Sequence, residues 1–195
     1  MSFFKKIFGN NKKPKKNIEE DEKVTLTLDD AFVFNFISKG GKFLYCTTTA
    51  ELTDHLNKIF SENNWDSITC FDENLLGFVK KTQVTSHSSF DNEIPFFTTC
   101  EHLISDNGDI LFSSNQLSTH KISSLTQNFI VFAKTSQFVR NTGEGLTGIK
   151  TNCKENIPTN ISAVKKYTLN SDEDNFLNYG NNNSKNLYLL LLEDL

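Results

Sequence analysis

The chain has 195 residues, 20 of them Lys or Arg and 24 Asp or Glu, for a net charge of −4. Hydrophobic residues make up 37% and charged residues 23%, which excludes wholesale disorder, a collagenous repeat and a disulfide-dense framework, and predicts one soluble domain with a real core. The longest apolar run, 187–192, is far short of the ~20 residues that span a bilayer, so the chain reads as a cytoplasmic protein without a transmembrane segment.

The mild total hides a split. Residues 1–16 carry Lys5, Lys6, Lys12, Lys13, Lys15 and Lys16 and no acid, a local +6; the remaining 14 bases face 24 acids, so the body carries −10. An acidic body with Arg140 as its one Arg is a poor match for phosphate backbones, and no nucleic-acid partner is predicted. Residues 1–22, basic and then acidic at 19–22, read as a disordered arm, and 23–195 as a single domain. Phe3, Phe4, Ile7 and Phe8 among the lysines give the arm the means for weak contact with a membrane surface.

In chain order, Asp29 and Asp30 are candidate caps for a helix bearing Phe32, Phe36 and Ile37, ended by Gly40-Gly41. KFLYC (42–46) reads as a buried strand. Thr48 and Glu51 have capping-box spacing, and Leu52, Leu56, Ile59 and Phe60 then share one helical face. SITCF (67–71) is the next strand, and Asp72 caps a helix with Leu75, Leu76 and Val79. TTCEHLIS (98–105) is a strand or short helix, Asp106-Asn107-Gly108 a tight turn, and DILFSS (109–114) a strand. FIVFA (129–133) reads as a central strand, with a short helix near 135–139, a glycine-rich loop from 141 to 158 and a further element at 161–167. LYLLLL (187–192) has the continuous apolar character of a strand buried on both faces. Alternating helices and strands predict an α/β protein whose open, mostly parallel sheet is flanked by helices.

Cys46, Cys70, Cys100 and Cys153 lack metal-ligand spacing and read as reduced, mostly buried residues, so no metal is predicted. Gly143, Gly145 and Gly148 form a Gly-x-Gly-x-x-Gly without the apolar helix and following acid of a dinucleotide site; a looser anion role for the backbone there, with Arg140 and Lys150, remains open. The stretch 98–114 is denser in chemistry. Glu101 beside His102 suits acid–base work, while Asp106, Asn107, Gly108, Ser113 and Ser114 surround the turn and strand ends. The plain alternative is a hairpin turn with solvated acidic shoulders. Ser86-His87 lacks the nucleophile elbow of a serine hydrolase.

CEHLISDNGDILFSS, followed by HKISSLTQNFIVFAKTSQFV, resembles the core of the LUD domain of lactate-utilisation protein C. Glu101, Asp106, Gly108, Ser123, Ser124, Leu125, Ser136 and Gln137 take the family's places in order, and the closing ISAVKKYT and KNLYLLLLEDL look like the end of compact members. This chain carries Asn107-Gly108-Asp109 where the family has Thr-Gly-Thr, His120 where a stronger base is usual, and 149–155 where longer members have Ser-Lys-Thr-Ala-Asp-Ile-Glu. The resemblance implies a sheet like that of sugar-phosphate isomerases and CoA transferases, with a crevice that gathers 106–108, 113–121 and 141–152. It also implies an accessory role in oxidising L-lactate to pyruvate, beside subunits that supply the iron–sulfur cluster, with no cofactor bound by this chain directly. A small carboxylate or phosphate would meet Asp106, Asn107, Gly108, Ser113, Ser114, His120, Arg140, Gly143 and Gly145, with Arg140 as clamp. The alternatives are an enzyme acting on a sugar phosphate or acyl donor through Glu101 and His102, and a non-catalytic scaffold.

Overall fold

The computed structural model describes residues 26–153, 157–168 and 183–194. The arm at 1–22 and residues 154–155 of the family loop lie outside them. Thr27 starts the first helix, α1 (Leu28–Ser38): its extended backbone lets the hydroxyl accept the Asp30 N–H at 3.4 Å. Asp29 and Asp30 are therefore first-turn acids rather than caps, placed where the helix dipole favours negative charge. Gly40, at φ +89°, turns the chain out of α1 into β1 (Lys42–Cys46). Thr48 caps α2 (Thr49–Asn63), which buries Leu52, Leu56, Ile59 and Phe60 as their spacing predicts. There follow β2 (Ser67–Thr69), α3 (Glu73–Val79) capped by Asp72, β3 (Thr85–His87) and β4 (Phe96–Thr99).

The chain then leaves this sheet. β5 (His102–Ile104) and β6 (Asp109–Phe112) form an antiparallel hairpin, followed by the single turn α4 (Ser114–Leu117). It returns as β7 (Asn128–Lys134), passes a 3-10 turn at Thr135–Gln137 and adds β8 (Phe138–Val139), α5 (Thr142–Asn152), β9 (Ser162–Val164) and β10 (Asn186–Leu192).

The main sheet is six-stranded and parallel throughout, in the order β1-β10-β7-β4-β2-β3. Its centre is β10 against β7, with Leu187–Leu191 all buried, because a parallel strand covered on both faces has no polar side to present. Alternation sends Phe97, Ile130 and Leu190 towards α2 and α3, and Phe96, Phe129, Val131 and Leu189 towards α1 and the second sheet. That second sheet, ordered β8-β5-β6-β9, is mixed. The helices and second sheet thus make the outer layers of an α/β sandwich.

Four further expectations change. KFLYC is a strand but not a buried one: at the edge of the sheet Lys42 is exposed, 43–45 are half-buried and of the five only Cys46 is buried. The stretch 98–105 is two strands in two sheets, with the crossing at Cys100-Glu101. The helix near 135–139 shrinks to the 3-10 turn and β8. The glycine-rich loop is instead a helix over 142–152, because Asn141 caps it by accepting the Glu144 N–H at 3.0 Å. Its glycines permit close docking: a Cβ on Gly145 would stand 3.3 Å from Ile104 and Leu111, and one on Gly148 2.8 Å from the His102 ring.

Candidate functional site

The loops after β1 and β2 lead to helices on one face of the parallel sheet, and those after β4 and β7 lead to the second sheet on the other. Ligands in open α/β sheets bind beyond the carboxyl ends of strands where connections part this way. Three adjacent strands, β4, β7 and β10, deliver polar groups to that rim.

At the end of β4, Glu101 Oε1 accepts bonds from Ser113 Oγ at 2.6 Å, Asn115 Nδ2 at 2.9 Å and Gln116 Nε2 at 3.2 Å. Ser113 is fully buried and caps α4 in a capping box with Gln116, so the helix start and the carboxylate orient one another. His102 Nδ1 lies 3.4 Å from the Gln137 carbonyl, and the flat glycine face of α5 holds its ring. Gln137 ties the ends of β4 and β7 together, its Nε2 donating to the Cys100 carbonyl at 2.6 Å and the Glu101 carbonyl at 3.2 Å.

Beside it, at the end of β7, Thr135 Oγ1, Ser136 N and Ser136 Oγ donate to the Asp194 carboxylate at 2.8, 2.9 and 2.7 Å, with Lys134 Nζ at 4.0 Å. Hydrogen bonds from Ser136 and Thr135 and the Lys134 charge outweigh burial and lower the Asp194 pKa. A carboxylate whose folded pKa is depressed stabilises the fold above its unfolded pKa and loses that contribution as pH falls through the folded one. Wild type should therefore melt above Asp194→Asn at neutral pH, with the gap closing on acidification below the ordinary aspartate pKa of 3.8. A gap unchanged in acid would mean that the charge contributes nothing.

The sequence-predicted residues fall into two groups at opposite ends of β5, roughly 13 Å apart at about 3.3 Å per strand residue. Glu101, His102, Ser113 and Ser114 are at the hairpin base; Ser114 exchanges bonds with the Thr159 backbone. His120 is exposed nearby, its ring 4.5 Å from that of Phe90. Asp106, Asn107, Gly108 and Arg140 are at the tip. There the Asp106 N–H donates to the Arg140 carbonyl at 2.9 Å, Asn107 Oδ1 accepts the Asp109 N–H at 3.0 Å, and Gly108 is buried under α1. Arg140 is thus remote from Glu101. Gly143 is exposed in the first turn of α5, whereas Gly145 is buried against the hairpin. No single crevice gathers 106–108, 113–121 and 141–152.

Sequence reasoning missed Asn115, Gln116, Thr135 and Asp194 as rim residues. The Ser113-x-x-Gln116 capping box was there to read; Asp194 and Ser136, 58 residues apart, offered no local signal. A separate groove of about 650 Å³, lined by Asn57, Phe60, Trp65 and Gln83 among others, opens at the opposite, amino end of β2 and β3, away from this chemistry.

Among the described residues, no three His, Cys, Asp or Glu side chains are grouped to hold a metal ion. Cys46, Cys70 and Cys100 end or follow different strands, and burial pushes the first two thiols up to about 11 and the third higher still. That donor set does not fit an iron–sulfur cluster, whose ligands are gathered thiolates. No helix among the described residues is long and apolar enough to cross a membrane.

Comparison with protein families matches the LUD domain over residues 30–192. Among solved structures, the chain resembles a DUF162 family protein from Deinococcus radiodurans with a TM-score of 0.60 at 13% identity, over 87% of this chain and 100% of that one. At that identity the likeness is one of fold. Comparison with curated proteins finds no match.

Proposed function

We propose, on the premise that this chain belongs to the LUD domain family, that it is an accessory component of L-lactate oxidation to pyruvate. The observation that carries the reading is the extent of the family match, which covers both sheets and every rim strand. The electrons pass to iron–sulfur clusters on partner subunits, since the thiols described above do not fit one. This chain supplies recognition of a small carboxylate or phosphate at the rim over β4, β7 and β10. In support, hydroxyls, an amide and an ammonium already surround a carboxylate there, that of Asp194.

A second reading is favoured by Glu101 and His102. Three side-chain donors fix the Glu101 carboxylate through Oε1 alone, and the Gln137 carbonyl orients the His102 ring. A fixed carboxylate beside an oriented imidazole has the groups for acid–base work on a sugar phosphate or acyl donor. One experiment separates the readings. Lactate-dependent dye reduction by the iron–sulfur subunits should rise when this protein is added, and Glu101→Gln should leave much of that gain. No gain sinks the accessory role; turnover by the chain alone, abolished by Glu101→Gln, supports the enzyme.

A further inference from the structure

The groove at the amino end of β2 and β3 shares no residue with the rim, and its chemistry is of another kind. Its volume, about 650 Å³, is that of an ordinary ligand site, ~300–1,000 Å³. One wall is the last two turns of α2 and the residues that follow them. Asn64 closes that helix in the left-handed region at φ 55°, and the Trp65 N–H reaches back to the Phe60 carbonyl at 2.9 Å. Trp65, half-buried, thereby joins the same apolar cluster as Phe60. The Tyr188 ring stands nearly perpendicular to the indole, centroids 6.2 Å apart, and braces it. The facing wall is the loop 81–84, where the Val84 N–H donates to Thr82 Oγ1 at 3.3 Å. The Thr85 N–H donates to the Asp66 carbonyl at 2.9 Å and holds the two walls together.

Three amides set the class of ligand. Asn57, Asn64 and Gln83 line the groove, and their side chains form no hydrogen bond with any described residue. Each offers donors and an acceptor, the combination that suits a hydroxyl, which is itself both. An anion is disfavoured. The two charged residues of the lining, Asp66 and Lys81, cancel, and the groove lies at the carboxyl end of α2, whose last turn holds no basic residue. A wholly apolar ligand would strip water from the amides and give them no partner in return. We propose that this groove binds a neutral sugar, with Trp65 against the C–H face of the ring and Asn57, Asn64 and Gln83 on its hydroxyls. The face of an aromatic ring is partly negative, and the C–H bonds of a sugar ring complement it. The site is independent of the rim over β4, β7 and β10, since it opens at the other end of the sheet.

Trp65 is the single Trp of the chain, so its fluorescence reports on this groove directly. The test is titration of the full chain with glucose and N-acetylglucosamine, each also as its linear trisaccharide, and with inorganic phosphate. A saturable change in emission is expected with a sugar and none with phosphate. Equal affinity for the free sugar and its trisaccharide identifies a monosaccharide as the ligand; a tighter trisaccharide identifies a glycan chain. Asn57→Ala with Gln83→Ala should weaken the binding about tenfold and leave the urea midpoint in place, because neither side chain bonds within the described fold. No saturable change with any of these sugars overturns the proposal. So does a change that survives the double substitution, or phosphate binding as tightly as the sugar.

Discussion

Lys185→Met should stabilise the protein by about 2 kcal/mol near pH 7, and the gain should fade as pH rises towards 10.5. Lys185 is 1% exposed. Its Nζ donates to the Leu125 carbonyl at 2.9 Å and lies 5.3 Å from the Phe129 ring centroid, and no carboxylate among the described residues pairs with it. Burial disfavours the ammonium and pulls its pKa from 10.5 down to about 8. Between those values the unfolded chain binds more protons than the folded one, so the lysine's penalty is complete below about 8 and gone above 10.5. At about 1.4 kcal/mol per pH unit the penalty is about 3 kcal/mol. Leaving the Leu125 carbonyl without its donor takes back about 1. Met has the length and flexibility to fill the space. The buried thiols act in the opposite sense: Cys46 and Cys70 titrate near 11 when folded, so above the ordinary thiol pKa of 9.0 the unfolded state sheds protons first and stability falls. Urea denaturation of wild type and variant across this range, read as a difference, cancels them. Equal stability at neutral pH, or a gap that does not narrow, would show that Lys185 is solvated after all.

Nothing local in the sequence marks that lysine. A Lys ahead of an apolar run reads as a solvated flank, and its burial is set by Leu125 and Phe129, about 60 residues earlier. The strands legible from sequence are those whose environment is uniform. FIVFA and LYLLLL lie in the middle of the parallel sheet, where burial on both faces writes itself as unbroken apolar sequence, whereas KFLYC, half-buried at the sheet's edge, is legible as a strand by its short apolar and aromatic run. The helices that could be read, α1, α2 and α3, start with side-chain caps, and α2 and α3 follow with one apolar face. α5 could not, because Gly143, Gly145 and Gly148 have poor helix propensity; its helix is set by the Asn141 cap and by docking on β5 and β6, which only the tertiary structure supplies. The division of 98–105 between two sheets was hidden for the same reason.

The site divides likewise. Glu101 and His102 stand out because two titratable residues adjoin at a strand end, and the structure puts both on the rim. Their company was not legible: Gln137 is recruited by the ends of β4 and β7, and Thr135 and Ser136 by a carboxylate from the far end of the chain. Asp106 to Gly108 attracted attention as a turn rich in polar groups, yet the structure spends that turn on packing.

The price of disturbing it gives the second large prediction: Gly108→Ala should destabilise the protein by about 3 kcal/mol. Gly108 sits at φ +71°, a left-handed conformation that costs a side-chain-bearing residue about 1 kcal/mol. Its added Cβ would stand 2.5 Å from the Phe36 nitrogen and 2.7 Å from the Asn35 carbonyl carbon. Both are backbone atoms of α1, so relief requires moving the helix, and Phe32 and Phe36 anchor it in the core. Overpacking of this kind costs about 2 kcal/mol more. The turn is held from the other side as well: the Gly108 N–H donates to the Ile104 carbonyl at 2.8 Å, and the Tyr167 hydroxyl donates to the Gly108 carbonyl at 2.6 Å. Asp109 is paired with Lys39 at 2.8 Å. Asn107→Ala is the control, losing one bond to the Asp109 N–H and about 1 kcal/mol. If urea midpoints fall in that order, α1 closes the turn, and a ligand reaching its backbone would first have to lift the helix. If Gly108→Ala unfolds at the wild-type midpoint, α1 is not clamped there, and the turn returns as a candidate for anion recognition.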